Sequence, residues 1–419
     1  VRHASRLSRK LQRSDVTVTS HTAGVPDYGA GRMYRVLVFA FLLCLCGGFG
    51  RAQELPVETL ALFQAADTND LELAEFALER GADVDAGGPN GRTPLMLAAS
   101  SGAAEVARLL IDSGAAVDAT TPDDAWTALH AAAYSGQAAT AEVLVDAGAA
   151  LEARERDFGN TPLLLASRRG HRSVVALLIA SGADLDARDA QDGNTPLINA
   201  AFGAENGLLV AELLTAGARP DATAKDRKSA LHAASISGNR MGVQLLLDWG
   251  ATPEARDREG WTPLLHAASN GRQGPLAELL EAGADPNVRG GNGETPLGQA
   301  AALGAIATVS QLLAAGAEVN APSKDGRTPA LLAAINGYEQ TLALLLERGA
   351  DVNIPESESG NTALMLAANR GQLALVQQLL AVGADPNAVA KDGWTALQAA
   401  EMIGDDEIIA LLKAAGAAE

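Results

Sequence analysis

Cysteine is nearly absent: among 419 residues it occurs only at Cys44 and Cys46, both inside one apolar stretch near the start. Beyond that stretch the chain can form no disulfide and offers no thiol, which excludes a disulfide scaffold, a thiolate metal centre and a cysteine nucleophile. Aromatic residues make up 4% although 47% of the chain is apolar. Alanine fills much of the difference, so the composition favours thin layers between closely packed helices over a bulky core. Positive charge is also short. The net charge is −19, and the first 52 residues hold eight Arg or Lys against two Asp, so residues 53–419 carry −25. Such acidity argues against nucleic acid as a partner.

No apolar run reaches the roughly 20 residues that a membrane-spanning helix needs. The longest, VLVFAFLLCLCGGFG at residues 36–50, has fifteen. It follows Met33-Tyr34-Arg35, and Gly50-Arg51-Ala52 places small residues at −3 and −1 of a cut before Gln53. This is the layout of a secretory signal peptide, expected over residues 33–52 with cleavage after Ala52. The alternative, a membrane anchor, suffers from the short length. Leu43 and Leu45 before the two cysteines disfavour a lipoprotein. Residues 1–32 begin with valine and have no apolar period; they are expected to be an over-extended start or disordered. The remaining 53–419 is then expected in the periplasm or outside the cell, with no membrane attachment.

What the sequence does have is a period. A Thr or Ser recurs at Thr93, Thr127, Thr161, Thr195, Ser229, Thr262, Thr295, Thr328, Thr362 and Thr395, at steps of 33 or 34, with a degenerate unit at Leu60. Gly-Ala closes each unit, from Gly81 to Gly416, giving eleven units. In GNTPLLLASRRG (159–170) the Thr161 hydroxyl can accept from the free N–H groups of a first helical turn, and Pro162 sits where its missing N–H costs nothing. Gly170 ends this helix after about two turns. HRSVVALLIA (171–180) has apolar residues at i, i+3 and i+4 and predicts a second helix. DLDARDAQDGN (184–194) predicts an open, polar, hairpin-like finger with Asp192-Gly193 as its turn. One such helix pair cannot bury its own apolar face, but stacked pairs can, and alanines at Ala166, Ala200-Ala201, Ala267-Ala268 and Ala367-Ala368 let first helices approach. One unit is irregular. From Thr195 to Gly217 it is one residue longer, which places an insertion at 203–207 between its helices.

Thr-Pro-Leu, the Ala-Ala pair, Gly, the Leu-rich run, Gly-Ala-Asp and the Asp-Gly before the next Thr resemble the ankyrin repeat, from Leu60 to the C-terminus. The resemblance implies an all-α solenoid of stacked helix-turn-helix units with projecting finger loops. Its expected parts are an N-capping unit at about 57–91, internal units at 92–394 and a C-capping unit at 395–419, the end units carrying acidic residues that keep an open stack soluble. Histidine occupies the family's Thr-Pro-Leu-His position only at His130 and His232; Met96, Leu164, Ile198, Leu265, Leu331 and Met365 stand there elsewhere, so apolar packing is expected to replace its bonds between loops.

Chemistry is sparse. His130 and His232 fall in that scaffold position, and His171 and His266 have no second ligand at metal spacing. Asp184, Asp186, Asp189 and Asp192 faintly suggest a calcium loop, but Arg188 takes the place of a ligand. Gly290-Gly291-Asn292-Gly293 lacks the Lys-Ser/Thr of a phosphate loop, and neither Gly-x-Ser-x-Gly nor His-Glu-x-x-His occurs. The expectation is no enzyme, no cofactor and no metal. The resemblance implies a protein partner bound by finger tips and the exposed side of the first helices. Candidate contacts there are Trp126, Trp261 and Trp394 before the slot Thr, Phe158 in a finger, Tyr134, Leu303 and Ile335 near the first-helix ends, and the basic pair Arg168-Arg169. Large aromatics on a polar face are frequent interface anchors, although each Trp could instead pack across its neighbouring finger. The leading expectation is a monomeric, exported scaffold or inhibitor. A secreted effector directed at a host is the alternative, and an enzyme comes third.

Overall fold

The computed structural model describes residues 55–418. The expected leader at 33–52, residues 1–32 and both cysteines lie outside the described residues. Among the described residues there are twenty-two α-helices and no strand. They form eleven successive pairs, from Val57–Thr68 with Leu71–Glu79 to Ala396–Ile403 with Asp406–Ala414, one for each Gly-Ala period. The chain is a helical solenoid. No helix among the described residues is long and apolar enough to cross a membrane.

The Thr slots start the first helices as their chemistry requires. Thr161 Oγ1 accepts from Leu164 N at 3.4 Å, and Thr295 Oγ1 from Gly298 N at 3.1 Å. Pro at the first helical position accompanies six of these caps. At the far end, Gly170 takes φ +76°, the left-handed region in which glycine carries no Cβ penalty. The alanine pairs are wholly covered: Ala98, Ala200, Ala267 and Ala300 have no exposed surface. Leucines of the second helices, such as Leu178, Leu246, Leu279 and Leu345, are equally buried and extend the layer outward. The buried residues form one cluster from Ala61 to Leu412, a single seam through the stack.

The fingers are tighter than hairpins. One isolated bridge, Thr223 with Ser229, is the only strand-like pairing described. The fingers are closed by one or two backbone bonds, such as Glu155 N to Asn160 O with Gly159 N to Glu155 O, or Asp189 N to Asn194 O, leaving too few residues for a ladder within them. Pairing runs between fingers instead: Arg156 N donates to Asp124 O, Ala190 N to Phe158 O, Lys225 N to Asp192 O and Arg258 N to Asp226 O. Arginines stitch the same edge, Arg188 Nη1 reaching Gly193 O at 2.9 Å and Thr223 O at 2.5 Å. Below the fingers, acidic or amide side chains bond the next unit's backbone. Asp118 Oδ1 accepts from Ala150 N at 2.9 Å, and Asn387 both accepts from Ala418 N at 2.8 Å and donates to Gly416 O at 3.0 Å. Much of the finger acidity therefore holds neighbouring units together.

The fifth pair carries the insertion. Its first helix, Pro196–Ala201, has six residues where the preceding one, Pro162–Arg169, has eight. The next unit pins the extra loop, because Asn239 Nδ2 donates to Gly203 O at 2.8 Å and Ser237 Oγ to Ala201 O at 2.9 Å.

Candidate functional site

Five of the nine candidate residues meet in one place. A groove of about 360 Å³ between fingers and first helices is lined by Trp126, Phe158, Tyr134, Arg168 and Arg169, together with Glu155 and other finger residues. Tyr134 stands edge-on to Trp126, ring centres 5.5 Å apart, and the Arg169 guanidinium lies 3.8 Å over the Tyr134 ring. Edge-to-face and cation–π contacts of this kind fix side chains that would otherwise sample several rotamers. Tyr134 and Phe158 remain 41% and 45% exposed, so the groove presents aromatic surface to solvent.

Phe158 is placed by a buried carboxylate. Glu155 accepts from the backbone N of Asp157, Phe158 and Asn160 and from Asn160 Nδ2, all within 3.0 Å. Burial alone would push its carboxyl up; the donors of Asn160 and Phe158 outweigh it and hold the group below its ordinary value. At pH 7 this loop is tied to a charged anchor.

The other four candidates are dispersed along the stack. Trp261 is half-buried, packed 5.1 Å from the His266 ring and against Gly290 of the next finger, where an added Cβ would lie 2.9 Å from its Nε1. Leu303 covers Gly271 of the preceding unit, and Ile335 is partly buried against the core. Trp394 is 41% exposed in a separate recess of about 170 Å³ with Met402 and Met365.

Sequence reading passed over two features. The first is a polar knot between the sixth and seventh units, buried at its histidines and Asp257 and partly open at Lys228 and Asp226. His266 Nε2 lies 2.8 Å from Asp257 Oδ2, His232 and His266 rings are 5.7 Å apart, and Lys228 Nζ sits 2.8 Å from Asp226 Oδ2. Burial, then repulsion from His266, lowers the His232 pKa to about 4. Burial also lowers His266 despite its Asp257 bond, and lowers His130. Asp257 is pushed up by burial but held below its ordinary value by the His266 and Trp261 donors. The imidazoles are thus neutral at pH 7. Each scaffold histidine joins its own helix cap to the next finger: His130 Nδ1 faces Thr127 N at 3.2 Å, and Nε2 faces Asn160 O at 3.1 Å. No group of three or more His, Cys, Asp or Glu among the described residues is placed to hold a metal ion.

The second feature is a larger groove of about 570 Å³ at the irregular fifth unit. Arg168, Asn199, Phe202, Asp192 and Lys228 line it, so it abuts the first groove through Arg168. The one sequence signal for it was the extra residue between that unit's helices.

Comparison with known families matches this architecture. Ankyrin repeats (3 copies) match at residues 62–155, 202–290 and 272–356, together more than half of the chain. Ankyrin repeats (many copies) match at 345–400, and a single ankyrin repeat at 158–190. The chain belongs to the ankyrin-repeat family. No curated protein matches it as a relative. Ankyrin repeats are generally protein–protein interaction modules and typically non-catalytic scaffolds. Along this ankyrin array the finger edge is held by backbone bonds and by arginine side chains that reach the next finger's carbonyls.

Proposed function

We propose that this ankyrin array is a non-catalytic scaffold, exported by way of a cleaved leader, that captures a partner protein between its fingers and first helices. One observation carries the reading: Trp126, Tyr134, Phe158, Arg168 and Arg169, separate in sequence, line a single groove. The groove combines exposed aromatic faces with an Arg pair on a strongly acidic chain, the composition of an interface centre. Trp126 and Tyr134 are its anchors and Phe158 closes the finger side. Trp394 and its recess supply a second point of contact near the C-terminal units.

Two measurements test this. The N-terminus of the protein recovered from fractionated cells should begin at Gln53, in the periplasm or the medium; a cytoplasmic chain that retains Met33 would reject export. Crosslinking in place should capture a partner, and Trp126→Ala with Tyr134→Ala should weaken capture roughly 30-fold, the loss of about 2 kcal/mol expected at an anchor. Circular dichroism should be unchanged. Undiminished capture by the double variant would reject the groove.

A further inference from the structure

Building on the capture reading, we propose that the irregular fifth unit is a binding notch for an extended segment of the partner that places one carboxylate against Arg168 beside an apolar side chain. Three observations converge there. The insertion shortens the first helix to Pro196–Ala201 and leaves Phe202 43% exposed at the rim. The inserted loop is a built feature, since the amide of Asn239, itself 1% exposed, holds the Gly203 carbonyl and the Ser237 hydroxyl holds the Ala201 carbonyl at the end of the shortened helix. Asn199 lines the groove, is 5% exposed, and its Nδ2 has no hydrogen-bond partner among the described residues.

An unpaired buried amide is costly and calls for an explanation; of the buried side-chain atoms left without a partner among the described residues, the Asn199 amide is the one whose residue lines this groove. Asn199 and Arg168 line the same groove of about 570 Å³, and a peptide backbone or carboxylate entering the notch supplies the missing partner. Arg168 is exposed and forms no ion pair among the described residues, whereas Lys228 is already matched by Asp226 at 2.8 Å. Arg168 is therefore the uncommitted cation of the notch. The finger side carries Asp157 and Asp192, exposed carboxylates that repel a uniformly acidic segment. The favoured ligand is consequently a single acidic residue flanked by apolar ones, entering from the helix side with its apolar neighbour on Phe202 or Phe158. Extended chain fits because alternate side chains then face opposite walls.

The probe is a displayed library of random twelve-residue peptides selected on the full-length protein, followed by fluorescence polarisation of individual peptides. The selected peptides should carry one Asp or Glu next to a large apolar residue. Arg168→Glu should weaken them roughly tenfold or more, as expected for a charge-assisted bond, and the affinity should fall with added salt. Asn199→Ala should weaken binding while leaving the urea midpoint unchanged or raised, because it deletes an unpaired buried amide; a purely structural Asn199 would lower the midpoint instead. Selection of basic or uncharged peptides, absence of enrichment, or indifference to both substitutions would overturn the notch. Loss on Trp126→Ala and Tyr134→Ala combined with indifference to Arg168→Glu would remove the notch alone and leave the capture groove standing.

Discussion

At the scale of single residues, the position three after each slot Thr or Ser shows how one site accepts different chemistries. In the third unit His130 caps its helix and reaches the next finger; in the eleventh Gln398 Oε1 accepts from Thr395 N at 3.1 Å; in the second the Met96 sulfur lies 3.5 Å from Thr93 N. His232 does the same work as His130, with Nδ1 3.2 Å from Ser229 N and Nε2 3.2 Å from Trp261 O, but beside a second imidazole. Its folded pKa of about 4 lies below the ordinary value of 6.5, so between these pH values the unfolded chain binds more protons. The stability His232 contributes is complete above pH 6.5 and is lost as pH falls toward 4, a loss of roughly 3 kcal/mol. His130 and His266 shift in the same direction. Glu155 and Asp257, held low, contribute until the pH falls below the ordinary carboxylate range. His232→Gln, which copies Gln398, should cost about 1 kcal/mol at pH 7 and markedly flatten the decline between pH 6.5 and 4. Urea titrations across that range read both quantities. The same acid dependence in parent and variant would show that His232 does not carry it.

At the scale of the element, the turn between paired helices is set by backbone conformation and by what the next unit lays over it. Gly136 has φ +77°, and a Cβ there would lie 2.6 Å from the His171 ring, which Tyr134 O holds through a 3.0 Å bond to Nε2. Gly148, which follows the second helix of the same pair, Ala138–Asp146, has φ +83° with open space around it. Gly148→Ala should therefore cost only the left-handed strain of about 1–2 kcal/mol, and Gly136→Ala should cost roughly a further 1 kcal/mol as the ring is displaced. Equal losses in urea would show that the ring yields freely. Elements of this kind were largely legible in the sequence: slot Thr, Pro, Ala pair and Gly each act within a few residues, so Thr161, Pro162, Ala166 and Gly170 predict their helix locally. Bonds between units were not legible. Nothing local marks Asp118 as the acceptor for Ala150 N, because that pairing spans a turn of the stack. The groove was half legible: the aromatics stood out by composition, but Asn199 and Phe202 gained their meaning only when the insertion shortened their helix.

At the scale of the whole molecule, stability is a chain of nearest-neighbour terms along one seam. Among the described residues the buried layer runs unit by unit along the seam, each first helix burying an alanine pair beside its leucines, as at Leu264, Leu265, Ala267 and Ala268, so no common centre averages out a local fault. Each such alanine is covered by the units on both sides. Ala267→Leu forces added methylenes into two junctions at once, and overpacking of this kind costs about 1–3 kcal/mol. In a globule that penalty would lower one cooperative transition. In this stack it should act where it is placed, so that the helices before Arg240–Asp248 and those after Pro296–Leu303 keep their own protection while the pair around Pro263–Ser269 opens first. Hydrogen exchange followed by mass spectrometry resolves the outcome: accelerated exchange centred on residues 263–281, fading over one or two units on each side, is the expected pattern. Uniform acceleration from Val57 to Ala414 would mean that the stack unfolds as a single unit and that coupling through the seam is stronger than neighbour contact alone provides.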